Sequence, residues 1–310
     1  MNIKKIFGIF FTLIFLCSFA FCGGLNAQSN DPNDQEMCVT QNDLKTSVQN
    51  QQKETQKTED KKLIQEALNA YDQTLKAVGF LDKGNKDKAF EALEQAVGKL
   101  DILTARFPQL AYLPINMNVG TLSLNENLDA IKQHRAEVES LIKNGYLQAA
   151  RRILDNLVSE IRITSVNLPM STYPTAIRGA ASLIQENKIA EAQKSLQVTL
   201  STLVILENSI PIPILNSQSY LQGASKIVSS ITPDKLTQDK KDQVQALLKK
   251  ANDQLEIAEE LGYGKHDVEF AQLYKDIQEI KNKITNNQES SSFLDKLKIR
   301  LEDFKNRISK

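Results

Sequence analysis

The residues from which this chain could build chemistry are few: two histidines, one cysteine beyond the N-terminal apolar segment, and a G-x-G. His134 lies in the charged run Lys132-Gln-His-Arg135, and His266 follows Gly264-Lys265 in a turn. Neither has a second His or a Cys at ligand spacing, whereas a zinc site uses three or four ligands. Either imidazole could sense pH, but a solvated surface histidine is the plainer reading. A Ser–His–Asp triad assembles only through folding. No G-x-S-x-G elbow, phosphate-binding Walker loop or G-x-G-x-x-G is present. The G-x-G of Leu261-Gly-Tyr-Gly264 ends a helical pattern instead of following a strand, so it reads as a helix stop. Carboxylates are plentiful on helix faces, where solvated Asp and Glu are expected. The chain therefore reads as a non-enzyme, with no catalytic residues, no cofactor and no metal.

The N-terminus sets the compartment. Lys4 and Lys5 precede an almost wholly apolar run, Ile6–Cys22, followed by Gly23-Gly24 and Leu25-Asn26-Ala27. That layout predicts a secretory signal peptide over residues 1–27, cleaved after Ala27 or, because Leu25 is large for its position, after Gly24. The run is short for a spanning helix, so an uncleaved anchor is the weaker reading. Leu16 and Phe21 before Cys17 and Cys22 disfavour a lipobox. Export leaves Cys38 alone, without a partner for an internal disulfide; a dispensable exposed thiol is the plainer reading, a bridge between two chains the alternative. Lys+Arg and Asp+Glu number 38 each, so loss of Lys4 and Lys5 leaves a slight acidic excess. That balance gives no pull toward nucleic acid or anionic lipid. Six of the 12 Phe also leave with the signal, and there is no Trp to stack on bases. No stable membrane insertion is expected after cleavage.

The elements are predominantly helical. Residues 28–62 are polar and aperiodic, which predicts a flexible tether. From Ile64 apolar residues recur at 3- and 4-residue spacing, giving a first helix through Val78 and a second over about 87–105. Helices are predicted over about 125–143, 146–160, 173–186, 189–208 and from Pro213 to Ser230. Three more carry the stripes Val244–Leu261, Phe270–Ile284 and Leu294–Ile308. Two stretches break this rule. Tyr112–Val119 alternates in part and ends at Gly120, and Ile161–Pro169 is rich in β-branched residues at period two. Their pairing is predicted to form a small two-stranded ribbon resting on the helices. The expected fold is thus mainly α: antiparallel helical hairpins in a bundle with one β-ribbon.

One phrase recurs at the helix turns. Leu81-x-x-Gly84-x4-Ala89-x3-Leu93 is echoed by Leu141-x-x-Asn144-x4-Ala149-x3-Ile153 and by Ile184-x-x-Asn187-x4-Ala192-x3-Leu196. Gly or Asn accepts the left-handed backbone that ends a helix. Ala admits a close neighbour, and Leu or Ile fills the seam. The intervals between copies are unequal, so generic hairpins are favoured over a solenoid, whose repeat length is fixed.

The stretch from about Leu75 to Tyr263 resembles the YfdX family of secreted bacterial proteins. The resemblance rests on Tyr112-Leu-Pro-Ile115, Leu168-Pro-Met170, Ala176–Ile184, Lys188-Ile-Ala-Glu-Ala192, Ser209-Ile-Pro-Ile-Pro-Ile-Leu215 and Leu261-Gly-Tyr263. It implies a mostly helical fold, a periplasmic address and association with acid or heat stress of the envelope, holdase-like protection of other proteins and self-association. It supplies no catalytic residue and no ligand site. The domain expectation is a signal peptide (1–27), a tether (28–62), a YfdX-like helical domain (63–231) and a three-helix extension (232–310). The expected function is a non-enzymatic periplasmic stress protein that binds unfolded envelope proteins and itself. A helical adaptor with one defined partner is the alternative. Holding clients requires exposed apolar surface. The Pro-interrupted segments Tyr112, Leu113, Pro114, Ile115 and Pro211, Pro213 are the candidates, the competing reading being that both cap the core.

Overall fold

The computed structural model describes residues 39–57, 60–264 and 267–309, which pack as one unit. The segment expected to be a signal peptide, Cys38 and His266 lie outside the described residues. Among the described residues, no helix is long and apolar enough to cross a membrane.

Helix α1 (Gln41–Lys57) occupies much of the polar stretch expected to be a tether. Its apolar content is slight, but Leu44 is buried against the C-terminal helices. Tertiary contact thus orders what composition alone left open. Helices α2 (Asp60–Asp82) and α3 (Lys86–Arg106) form the first hairpin, as predicted. The turn follows the sequence logic: Gly84 has φ +72, and the Asn85 side chain caps α3 by accepting from Lys88 N at 3.1 Å. Helices α4 (Leu128–Lys143) and α5 (Leu147–Leu154) form the second hairpin, α6 (Tyr173–Gln185) and α7 (Ile189–Leu200) the third. In the third, Asn187 takes the left-handed conformation (φ +60), as its phrase predicts. In the second that role falls to Gly145 (φ +80) and not to Asn144, whose side-chain amide instead donates to Ser140 O at 2.9 Å. Gly tolerates a left-handed backbone at less cost than Asn.

The hairpins are threaded through an antiparallel sheet of order β1-β2-β3. Strand β1 (Tyr112–Leu122) pairs with β2 (Glu160–Pro169) from Tyr112↔Pro169 to Leu122↔Glu160, with an irregularity at Pro114/Asn116. This is the predicted pairing. A third strand, β3 (Val204–Pro211), pairs with β2 from Glu160↔Pro211 to Asn167↔Val204. The ribbon is therefore a three-stranded sheet, and the helix expected over 189–208 stops at Leu200. Val204 and Ile205 are β-branched and favour a strand once β2 offers an edge. Pro211 sits at the end of an edge strand, where its missing donor is tolerated. Helix α5 is likewise shorter than expected, because residues from Glu160 onward are drawn into β2.

The remaining helices are α8 (Ile212–Ser229), α9 (Gln238–Glu260), α10 (Glu269–Thr285) and α11 (Ser291–Ile308). The buried apolar residues fall into three groups. Helices α2, α3, α6 and α7 enclose one core, closed from the sheet side by Leu113, Ile115, Leu168 and Tyr173. Helices α8 to α11 enclose a second, which Leu44 of α1 joins. A small cluster of Ile161, Ile210, Ile212 and Leu215 lies at the sheet–α8 junction. Helix α8 packs in the second core with α9, α10 and α11.

Candidate functional site

The two Pro-interrupted segments lie at opposite corners of the sheet. Tyr112 pairs with the end of β2, whereas Pro211 pairs with its start. Strand pairing and the helices beneath bury most of them. Leu113 is 1% and Ile115 6% exposed, and Pro211 and Pro213 are buried. Pro114 is half-buried, and only Tyr112 presents substantial surface, at 42%. The segments close cores rather than offering a shared apolar face.

Exposed large apolar side chains are spread over the molecule, Ile102, Ile205, Val268 and Ile299 among them, and four lie on the α4–α5 hairpin. Ile142, Tyr146, Leu147 and Leu154 cluster around its turn and along α5, with Tyr146 63% and Leu147 60% exposed. The first and third hairpins bury Ala89, Leu93, Ala192 and Leu196 completely, because those hairpins pack on each other. In the second hairpin the corresponding Ala149 and Ile153 are only half-buried. The same phrase is present, but no second hairpin covers it. The hairpin is anchored at its other face by Ile131 and Val138, which are buried, and by an Arg135–Glu260 ion pair to the end of α9.

His134, on α4, faces two carboxylates, with Nε2 3.5 Å from Glu126 and Nδ1 3.8 Å from Glu137. It is partly exposed, as its charged surroundings suggest. Among the described residues, no group of three or more His, Cys, Asp or Glu side chains is arranged to hold a metal ion.

A buried polar lock joins the sheet to the C-terminal bundle. Tyr263, in the turn after α9, donates its hydroxyl proton to Glu160 Oε2 at 3.0 Å and accepts from Ser159 N at 3.1 Å. Arg162 Nε donates to the other oxygen of Glu160 at 2.7 Å. Glu160 is 7% exposed, so its charge depends on these partners. Burial, reinforced by that carboxylate, raises the Tyr263 phenol above its ordinary pKa.

A concavity of about 650 Å³ opens between α1, the exit of β1, α4, α8 and α9. Its apolar lining includes Leu44, Val48, Ile131, Ile212, Tyr220 and Ile257. Its polar lining is dominated by side-chain amides, those of Gln41, Gln49, Gln52, Asn125, Asn216 and Gln254. The charged residues of the lining are Lys45 and Glu126, of opposite sign. Asn216 Nδ2 donates to Gln254 Oε1 at 3.0 Å, while Asn216 Oδ1 is shielded from solvent with no donor. Gln52 Nε2 donates to Val119 O at 3.3 Å and so ties α1 to β1. Sequence reading missed this concavity, because half of its amides sit on α1, in a stretch without helical periodicity of apolar residues. The run of Gln at 41, 49 and 52, near Leu44 and Val48, was the signal available.

These observations define a mainly helical protein in which one hairpin precedes a small antiparallel sheet and two are inserted between its successive strands. Residues 70–209, from within α2 almost to the end of β3, match the YfdX protein family. The phrases Ile210–Leu215 and Leu261–Tyr263 lie beyond the matched residues. A solved structure of YfdX from Salmonella Typhi shares 16% identity with it, covering 47% of this chain and 91% of that one, with a TM-score of 0.33. No curated protein matches the chain significantly.

Proposed function

We propose that the protein is a non-enzymatic periplasmic stress protein, active under acid or heat stress, that holds partly unfolded envelope proteins and self-associates. The observation that carries this reading is the apolar face of the α4–α5 hairpin. Soluble proteins seldom leave large apolar side chains clustered unless the patch is used for contact. Here Ile142, Tyr146 and Leu147 surround one turn, and Leu154 lies at the far end of α5. Arg151 and Arg152 flank the patch on α5 and keep it soluble, while the apolar side chains offer a seat without directional bonds. The match to the YfdX family over residues 70–209 supports the same reading.

The test is suppression of aggregation of a heated model client. The wild-type chain is expected to suppress aggregation near equimolar ratio, and the double variant Tyr146→Ser, Leu147→Ser to lose most of that effect without a change in Tm. Absence of suppression by the wild-type chain rejects the holdase reading. A pull-down that yields one stoichiometric partner through the same hairpin would favour the adaptor reading instead.

A further inference from the structure

We infer that the concavity between α1, α4, α8 and α9 is a binding site for a short, uncharged, extended peptide segment. This goes beyond the client-holding reading, which rests on a different surface. The volume, about 650 Å³, falls within the range of roughly 300–1,000 Å³ usual for small-ligand sites. The chemistry of the walls selects among ligands. A primary amide carries two donors and an acceptor, and so complements a peptide group in either orientation. Six amides line this space: Gln41, Gln49 and Gln52 on α1, and Asn125, Asn216 and Gln254 opposite. An extended backbone lying between the two rows would find donors and acceptors on both sides. Its apolar side chains would rest on Val48, Leu124 and Ile257, which are half-buried in the lining.

Asn216 adds a specific indication. Its Nδ2–H is committed to Gln254, yet its carbonyl oxygen is withdrawn from water with no donor. A buried acceptor left unmatched is unfavourable, and a turn of the Asn216 side chain toward the space would let an incoming backbone N–H remove that cost. Charged ligands fit poorly. Lys45 and Glu126 oppose each other in sign, and Glu126 is already near His134. A sugar ring would want an open aromatic face, but Tyr220, the aromatic residue of the lining, is 7% exposed and lies under Lys250 Nζ at 5.6 Å.

The test uses the purified chain and a fluorescently labelled peptide of Leu, Ala and Gln, acetylated and amidated so that its backbone carries no charge, followed by anisotropy. Saturable binding is expected. Ser123→Trp, on the exposed rim, places an indole in the space and is expected to weaken binding at least tenfold with Tm unchanged. Gln49→Trp on the opposite rim repeats the test should the first variant fail to fold. Tyr146→Ser, beyond the other end of α4, is expected to leave peptide affinity unchanged whatever it does to client protection. Undiminished binding in the folded Trp variants, no saturable binding at all, or tighter binding of a Glu-flanked peptide or a neutral oligosaccharide would each overturn the inference. Loss of client protection alone would overturn only the reading of the α4–α5 hairpin.

Discussion

Tyr173 shows how one buried hydroxyl couples stability to pH. It is fully buried in the α2/α3/α6/α7 core, and its Oη has the Thr74 hydroxyl, itself bonded to Ala70 O, beside it but no well-formed hydrogen bond. Burial pushes its pKa up to about 12 from 10.0. The neutral form is the one the fold accepts. Its contribution is therefore complete below pH 10 and is lost as pH rises from 10 toward 12. Tyr173→Phe removes an unsatisfied polar atom while keeping the ring, so it is expected to be neutral or to stabilise by up to about 1 kcal/mol at pH 7. It should also flatten the decline above pH 10; urea titrations at pH 7, 10 and 11.5 would read both effects. Tyr263 makes the opposite case. Its hydroxyl serves both Ser159 N and Glu160, so Tyr263→Phe should cost about 1–3 kcal/mol. An unchanged urea midpoint would show that the lock contributes nothing. At an exposed site, Glu289 accepts from the Ser291 hydroxyl and from Ser292 at the start of α11, which lowers its pKa to about 2. Its benefit is present above pH 4.5 and fades as pH falls toward 2. Glu289→Gln should cost no more than about 1 kcal/mol at pH 7, because water screens the carboxylate, and nothing at pH 2.

At the scale of the element, the three copies of the hairpin phrase provide an internal comparison. Leu93 and Leu196 occupy its last position and are completely buried, while Ile153 in the second copy is half-buried. The local sequence is nearly the same; what differs is whether another hairpin lies above. Leu93→Ala is therefore expected to cost about 2–5 kcal/mol through the cavity it leaves. Ile153→Ala should cost well under half as much, and equal midpoint shifts in thermal melts would contradict this account of the second hairpin. Gly264 is a second element-scale feature. It has φ +65, and a Cβ there would lie 2.9 Å from Ile308 Cγ2 and 3.0 Å from Phe304 Cζ. Helix α11 can close over the α9–α10 turn only because no side chain is present. Gly264→Ala combines backbone strain with displacement of α11, and a loss of at least about 1 kcal/mol is expected.

Across the whole molecule, the segment that matches the YfdX family and the C-terminal helices are interlocked through the sheet. The fully buried residues of the α2/α3/α6/α7 core run from Ala67 to Leu196, and all but Ala67 lie within the family match. Ile161 at the start of β2, by contrast, is buried with Ile212 and Leu215 of α8. A fragment ending at residue 211 should retain helical circular dichroism from that core. It should also expose Ile161, Ile163 and Val119 and associate in solution, which sedimentation would detect. A monomeric, fully stable fragment would show that the C-terminal bundle is only an appendage.

The sequence by itself determined the helices, the turns between them and the β1–β2 pairing. Each is written in neighbouring residues: 3- and 4-residue apolar spacing from Ile64 onward, Gly84 and Asn187 at the hairpin turns, and alternation in Ile161–Leu168. Tertiary structure alone decided that Val204–Pro211 would leave the helix to become a strand, that the polar α1 would fold against the C-terminal helices, and that Leu113 and Ile115 would be buried. It also decided which of three similar hairpins remained uncovered, and brought amides from α1, α8 and α9 to face one concavity. Helical periodicity is enforced by hydrogen bonds that close within one turn and so shows in any short window. Strand partners, lids and cavity walls are chosen by burial against distant parts of the chain, which no local pattern records.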